Sequence, residues 1–248
     1  MRRGVNKVFD KIIFWGAAIL VLIVIIIAVC VIRKIFNAPA NRISSDAQYR
    51  KYVYNQAPPS FKPQLRQLIS MIDAINQQIQ KQNIEIGQAQ YNAMNSIYQR
   101  ANQIEYQIRE HWNSRKFNAD FYYYIGLHYA SHLLGNALKS EQQVIRNTFV
   151  ECKKRQEYWG RKIDALKSQQ NYNSYSQRAR IGAEISDCCQ THKQISNLKS
   201  KIGQMNELFN QRVTQQNIET GRRRDFIATN FGKKGADWKK RMQQRAHN

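Results

Sequence analysis

Residues 12–32 read IIFWGAAILVLIVIIIAVCVI, an apolar run without a single charge, and no second run like it follows. At ~1.5 Å per helical residue it spans ~31 Å, the thickness of a bilayer's hydrocarbon core. This predicts one transmembrane helix over 12–36 behind a basic flank, 1–11. Beyond it the apolar positions thin out to single stripes. Leu65, Leu68, Ile72, Ile75, Ile79 and Ile86 recur at steps of three and four, with Gln82 holding one seam position. Ala89, Ala93 and Ile97 then change the phase, and Ala101, Ile104, Ile108 and Trp112 continue it. Two successive steps of four are a stutter, which relaxes a left-handed supercoil.

A second stripe carries Leu127, Ala130, Leu134, Leu138, Ile145, Phe149, Cys152, Trp159, Ile163 and Leu166. A third carries Ile181, Ile185, Cys188, His192, Ile195, Leu198, Ile202, Met205, Phe209 and Val213. Each stretch of helix, about 63–112, 118–167 and 175–219, would be ~70 Å long if continuous. Each is apolar on one face only, so none is stable alone. The breaks at 113–118 and 169–174 are short, which implies antiparallel neighbours. The predicted fold is therefore all-α: a single N-terminal transmembrane helix followed by a long antiparallel three-helix coiled-coil bundle over 63–221. A turn centred between Gln170 and Asn171 pairs Trp159 with Gly182, Ile145 with Ile195, Leu138 with Ile202 and Cys152 with Cys188 or Cys189.

Residues 37–62 hold Pro39, Pro58 and Pro59, and Pro63 follows at once. They read as a hinged neck in which Ser45 caps a short helix bearing Tyr49, Tyr52 and Val53. Only 11 Gly and 4 Pro occur in the whole chain, and Gln and Asn supply about a fifth of it. Long elements and few turns follow from the first fact. The helical periodicity argues against the low-complexity disorder that the second would otherwise suggest.

Two other readings of the N-terminus stay open. Arg2, Arg3, Lys7 and Lys11 suit a signal peptide, and Ala38-Pro39-Ala40 resembles a cleavage site. The apolar run exceeds a usual signal core, however, and Arg33-Lys34 intervene. Cys30 follows Ile27-Ala28-Val29, but Val29 is bulky where a lipoprotein site needs a small residue. Lys and Arg are almost equally frequent on the two sides of the span. The short basic N-terminus favours a cytoplasmic start, with the C-terminal domain in the periplasm of a bacterial-type cell.

The net charge of +22 comes from 39 Lys and Arg against 17 Asp and Glu. It favours acidic partners, anionic lipid or nucleic acid over catalysis. No G-x-S-x-G, phosphate-binding glycine loop or carboxylate cluster is present, so no catalytic residue, metal or cofactor is assigned. His128 and His132 form H-x-x-x-H, but Tyr129 replaces the Glu of the metalloprotease pattern. Cys152, Cys188 and Cys189 are candidates for a disulfide, for plain core packing, or, with His192, for an incomplete metal set.

Two regions look like partner-binding surfaces. One is the aromatic turn Phe117, Phe121, Tyr122, Tyr123 and Tyr124, which has an alternative role as a core plug. The other is the basic tail 222–248, with Arg222, Arg223, Arg224 and Trp238, which Gly221, Gly232 and Gly235 are expected to break into short pieces. Both would sit at the distal tip, far from the neck. The expected function is a non-enzymatic membrane-anchored scaffold or assembly factor of an envelope complex such as a secretion or conjugation apparatus. It would contact the lipid bilayer and either protein partners or its own copies through helices. A cytoplasmic tether and a membrane-attached nucleic-acid binder are the alternatives.

Overall fold

The computed structural model describes residues 46–82, 85–114, 120–171 and 173–246. The apolar run 12–36, with Cys30, and Phe117 in the aromatic turn lie outside them. The described residues form six helices and no strand: α1 (Asp46–Gln56), α2 (Lys62–Gln80), α3 (Gln88–Ser114), α4 (Phe121–Gln170), α5 (Tyr175–Asn230) and α6 (Gly232–Ala246). None of these is long and apolar enough to cross a membrane. The chain divides into two compact units, one of them Gln56–Lys239 and the other including 46–55 and 240–246. In the smaller unit, α1 supplies the short neck helix. Its Tyr49 and Val53 are buried, and the Tyr49 and Tyr52 rings stack 6.3 Å apart.

The larger unit is a helical bundle, but not one of three rods. The expected first rod is two helices. α2 closes when the Gln82 N–H reaches back to the Ile79 carbonyl, and α3 opens when the Gly87 carbonyl accepts from the Tyr91 N–H. Between them the chain reverses, so the phase change read as a stutter marks a turn. Phe61 lies 6.2 Å from His111, and Gln78 Nε2 donates to the Ala93 carbonyl at 3.5 Å. α2 and α3 are therefore an antiparallel pair. Their stripes, Leu65, Leu68, Ile72 and Ile75 facing Met94, Ile97, Ala101, Ile104 and Ile108, are almost wholly excluded from water.

α4 and α5 form the long antiparallel hairpin, in a different register from the expected one. Gly160 faces His192, Phe149 packs against Gly203, Gln142 bonds Asn210, and Phe121 meets Phe231. The residue numbers in each pair add to the same total. Relative to the pairing of Trp159 with Gly182, the helices have slid by about three turns. Gly182 instead approaches Gln170, and Trp159 is half-buried beneath Tyr158 and Lys162.

The hairpin has two parts. From Phe121 to Leu138, α4 is buried on nearly every side by α2, α3, α5 and α6. This head reaches to the level where Gln90 bonds Thr148 and Lys201 bonds Gln88. Further out, α4 and α5 have only each other. Their seam there is Ile163, Leu166 and Cys188, with Trp159, Ile181 and Ile185 packed on it. This arm ends in a capping box, where Ser174 and Gln177 satisfy one another's backbone at the start of α5. Its tip lies ~75 Å along α4 from Phe121.

Two close approaches hold the head together. A Cβ on Gly126 would stand 2.8 Å from the Phe61 ring, so glycine lets α2 enter against α4. At the other crossing, Gly232 turns the chain at φ +52° and Gly235 passes the Ile227 carbonyl, where a Cβ would collide at 2.2 Å. Gly221 does not end a helix: α5 runs through it to Asn230, and α6 folds back to bury Trp238 against His128. The described part of the tail, to Ala246, is thus helical, because Ile227 and Trp238 have apolar surface to cover. Gly235→Ala should therefore lower stability by ~2–4 kcal/mol, and Gly126→Ala by ~1–3 kcal/mol. Urea denaturation of the full chain, with Trp emission as the probe, measures both. Wild-type stability in Gly235→Ala would show that the α5–α6 crossing is not tight.

Candidate functional site

The aromatic turn and the start of the tail do come together, at the end of the head where the chain enters from Phe61. Asp120 begins α4 by accepting a bond from the Tyr123 N–H at 3.1 Å. That fixes the following aromatics. Tyr123 lies 4.2 Å from Phe61 and donates its hydroxyl to the His111 carbonyl at 2.8 Å. Tyr124 packs edge-on to Trp112 at 4.9 Å, Trp112 to Phe226 at 5.3 Å, and Phe121 to Phe231 at 5.4 Å. Phe121, Tyr123 and Tyr124 are buried, so within the described residues this cluster is a core plug. Tyr122 stays partly accessible beneath Lys234 Nζ, 4.4 Å from its ring centre. The remote end of the larger unit is the arm tip, not this cluster, because α3 brings the chain back beside Phe61.

The arginines divide in the same way. Arg223 is inside, where its guanidinium bonds both oxygens of the buried Glu105 at 2.6 and 3.2 Å and Ser131 Oγ at 2.8 Å. It also lies over the Trp112 ring at 5.8 Å. Arg222 is exposed and pairs with Glu219 at 3.1 Å; Arg224 lies near Asp225. Trp238, expected at a partner surface, is only 3% exposed. Between the end of α3 and α5 lies an open groove of about 460 Å³, lined by Arg109, Trp112, Asn113, Gln215, Glu219, Arg222, Arg223 and Phe226. The sequence offered little to find it, since Glu105 and Arg223 look like ordinary solvated helix charges.

Cys152, Cys188 and Cys189 are free thiols, the first two buried. The observed register separates them: Cys152 lies near Lys199, while Cys188 lies near Lys162. Ten helical steps from Cys152 to Lys162 put ~15 Å between these levels, too far for a disulfide. Burial raises the Cys152 thiol's pKa, which suits small core residues. His192 stands at Gly160, and among the described residues no three His, Cys, Asp or Glu side chains converge. His128 is enclosed, and burial, followed by the charges of His132, Arg224 and Arg223, lowers its pKa to about 3.

Three polar layers cross the head. Gln82 Nε2 donates to both oxygens of Glu141 at 3.1 and 3.2 Å, and Gln90 donates to Thr148 Oγ1 at 2.9 Å. Gln216 donates to the Ser131 carbonyl and Oγ at 3.1 and 2.9 Å, joining the Glu105–Arg223 pair. Comparison of the chain with protein-family models, curated proteins and solved structures finds no match.

Glu141 is fully buried, and burial raises its pKa to about 7, against the lowering effect of the Gln82 bond. Since the folded value lies above the ordinary 4.5, the favourable protonated state is fully present below pH 4.5 and is lost as pH rises through about 7. Glu141→Gln should remove this component of the pH dependence. It should leave the variant more stable than wild type at pH 8, by at most about 3 kcal/mol. Urea midpoints at pH 5 and pH 8 give the comparison; an unchanged difference between the two pH values would count against a neutral buried Glu141. Breaking the other layer by Glu105→Gln should cost ~3–5 kcal/mol because Arg223 is left buried without its counter-charge. Adding Arg223→Met should recover much of that loss in the same assay.

Proposed function

We propose that the protein is a non-enzymatic scaffold, anchored by a transmembrane helix at 12–36, whose helical head carries a coiled-coil arm to a partner in an envelope assembly. A bacterial-type secretion or conjugation apparatus is the setting we favour, with the C-terminal domain in the periplasm. The observation that carries this reading is the arm. Two helices cannot enclose a seam that three can, so Ile181, Ile185, Ile195 and Leu198 stay half-buried there, and Tyr158 and Tyr175 are 60% and 90% exposed. Such a seam is suited to receiving a further helix, from another protein or a second copy. Arg155 and Lys162 flank it, and Lys153, Lys154 and Arg161 on the outer faces keep the arm basic, which would guide an acidic partner in.

The arm can be shortened without touching the head, because Gln156 and Ser196 already face each other at 3.3 Å. Replacing 157–195 by a short glycine-containing turn should leave the thermal transition of the head within a few degrees of wild type. The same change should abolish recovery of partners in a pull-down from native membranes. Recovery of the same partners by the shortened chain would show that the arm is not the docking element. A reporter fused after residue 248 reads the topology: activity only outside the cytoplasm fits the envelope scaffold, and activity inside rejects it.

A further inference from the structure

The groove at the entry end of the head is chemically unlike the arm. Four arginines surround it: Arg109, Arg222 and Arg223 line it, and Arg212 lies behind Gln215, to which its Nη1 donates at 3.3 Å. The carboxylates that meet them are Glu105 and Glu219. Arg109 is exposed and has no acidic partner among the described residues, and the Nε of the buried Arg212 has no hydrogen-bond partner. Arg109 is therefore a cation without an acidic partner on a recess of about 460 Å³, and Arg212, which Glu105 attracts, adds a buried Nε without a hydrogen-bond partner. That volume falls within the ~300–1,000 Å³ of ligand pockets. Trp112 and Phe226, edge-to-face at 5.3 Å, form its apolar wall.

We propose that this groove binds an acidic peptide segment of a partner protein, with carboxylates flanking an apolar residue. Arg109 on α3 and Arg222 on α5 present guanidinium forks from the two sides, a shape that matches carboxylates two bonds at a time. The apolar residue would lie on Trp112 and Phe226 between them. Asn113 and Gln215 supply side-chain amides, which can both donate to and accept from a peptide backbone. Arg223 is held rigid by Glu105 and Ser131, so the floor of the recess is in place before a ligand arrives. A free phosphate group would use the cations but leave the aromatic wall and the amides without a role. The inference stands apart from the scaffold reading, since it requires neither the membrane anchor nor the arm.

The test is fluorescence anisotropy on the full chain with a fluorescein-labelled Asp-Glu-Phe-Asp-Glu peptide. Controls are the amide version Asn-Gln-Phe-Asn-Gln, the apolar-less version with Gly for Phe, inorganic pyrophosphate, and a short single-stranded oligonucleotide. Saturable binding is expected, weakened about tenfold or more by Arg109→Ala and by Arg222→Ala, as for a charge pair at a partly desolvated site. Arg109→Glu, also at an exposed position, should abolish it. The triple change Lys153→Ala, Lys154→Ala and Arg155→Ala removes more charge from the arm and should alter affinity less than twofold. An unlabelled copy of the peptide should shift the Trp emission of wild type but not that of Trp112→Phe. Equal weakening by the arm variant would overturn the proposal in favour of general charge attraction. So would tight binding of pyrophosphate or the oligonucleotide without the peptide, or no binding at all.

Discussion

The head depends on one helix that is apolar on all sides. Between Phe121 and Leu138 the sequence FYYYIGLHYASHLLGNAL has no charged residue, and nearly every side chain in it is buried. A helix of that kind is stable in water only if neighbours close around it. α2 and α3 cover it on one side, α5 on another, and α6 folds back to bring Trp238 over His128. The reversal from α2 to α3 and the turn at Gly232 follow from the same need. Three straight rods would have left part of this surface wet.

Once the ring is closed, polar groups inside it decide its alignment. Apolar stripes slide past one another at little cost, but hydrogen bonds and ion pairs are directional and leave an unpaired group when broken. Arg223 reaching Glu105, and Gln216 reaching Ser131, join α3, α4 and α5 at one level. Gln82 with Glu141 and Gln90 with Thr148 tie the α2–α3 pair to α4 at two more levels, toward the arm. Arg223 also forms the back of the groove, so a structural pair and a candidate binding surface share one guanidinium. Among the described residues the arm has no such enclosed ion pair. Its Lys162–Glu184 contact, at 3.1 Å, is solvent-exposed on both sides, and exposed pairs of this kind contribute little to stability.

Because α4 and α5 belong to both parts, the head fixes the direction in which the arm leaves it. The helices do not end at the head's edge, so there is no loop there to act as a joint. Such continuity suits a rigid projection more than a flexible tether. It also means that the exposed seam of the arm and the groove of the head are held at a constant separation along the hairpin.

The apolar periodicity by itself determined that the chain beyond the neck is helical and that α4 and α5 form an antiparallel hairpin, and Ser45 between the prolines marked a short helix bearing Tyr49, Tyr52 and Val53. The stretch 118–167 reads as apolar on one face only, whereas 121–138 is buried on nearly every side, and the aromatics at its start read equally as a core plug or a docking patch. The register was not readable. Eleven residues make just over three full helical turns, so a stripe displaced by eleven presents nearly the same face again, and several alignments bury similar apolar area. Tertiary structure chose among them through the pairing of Arg223, Glu105, Gln216 and Ser131, residues that sequence alone cannot tell from solvated ones. That choice separated the cysteines, while the reversal from α2 to α3 placed the aromatic turn at the entry end and left the arm tip as the far point. A periodic pattern carries the phase of burial but not its origin, and the origin was set by polar contacts between distant positions.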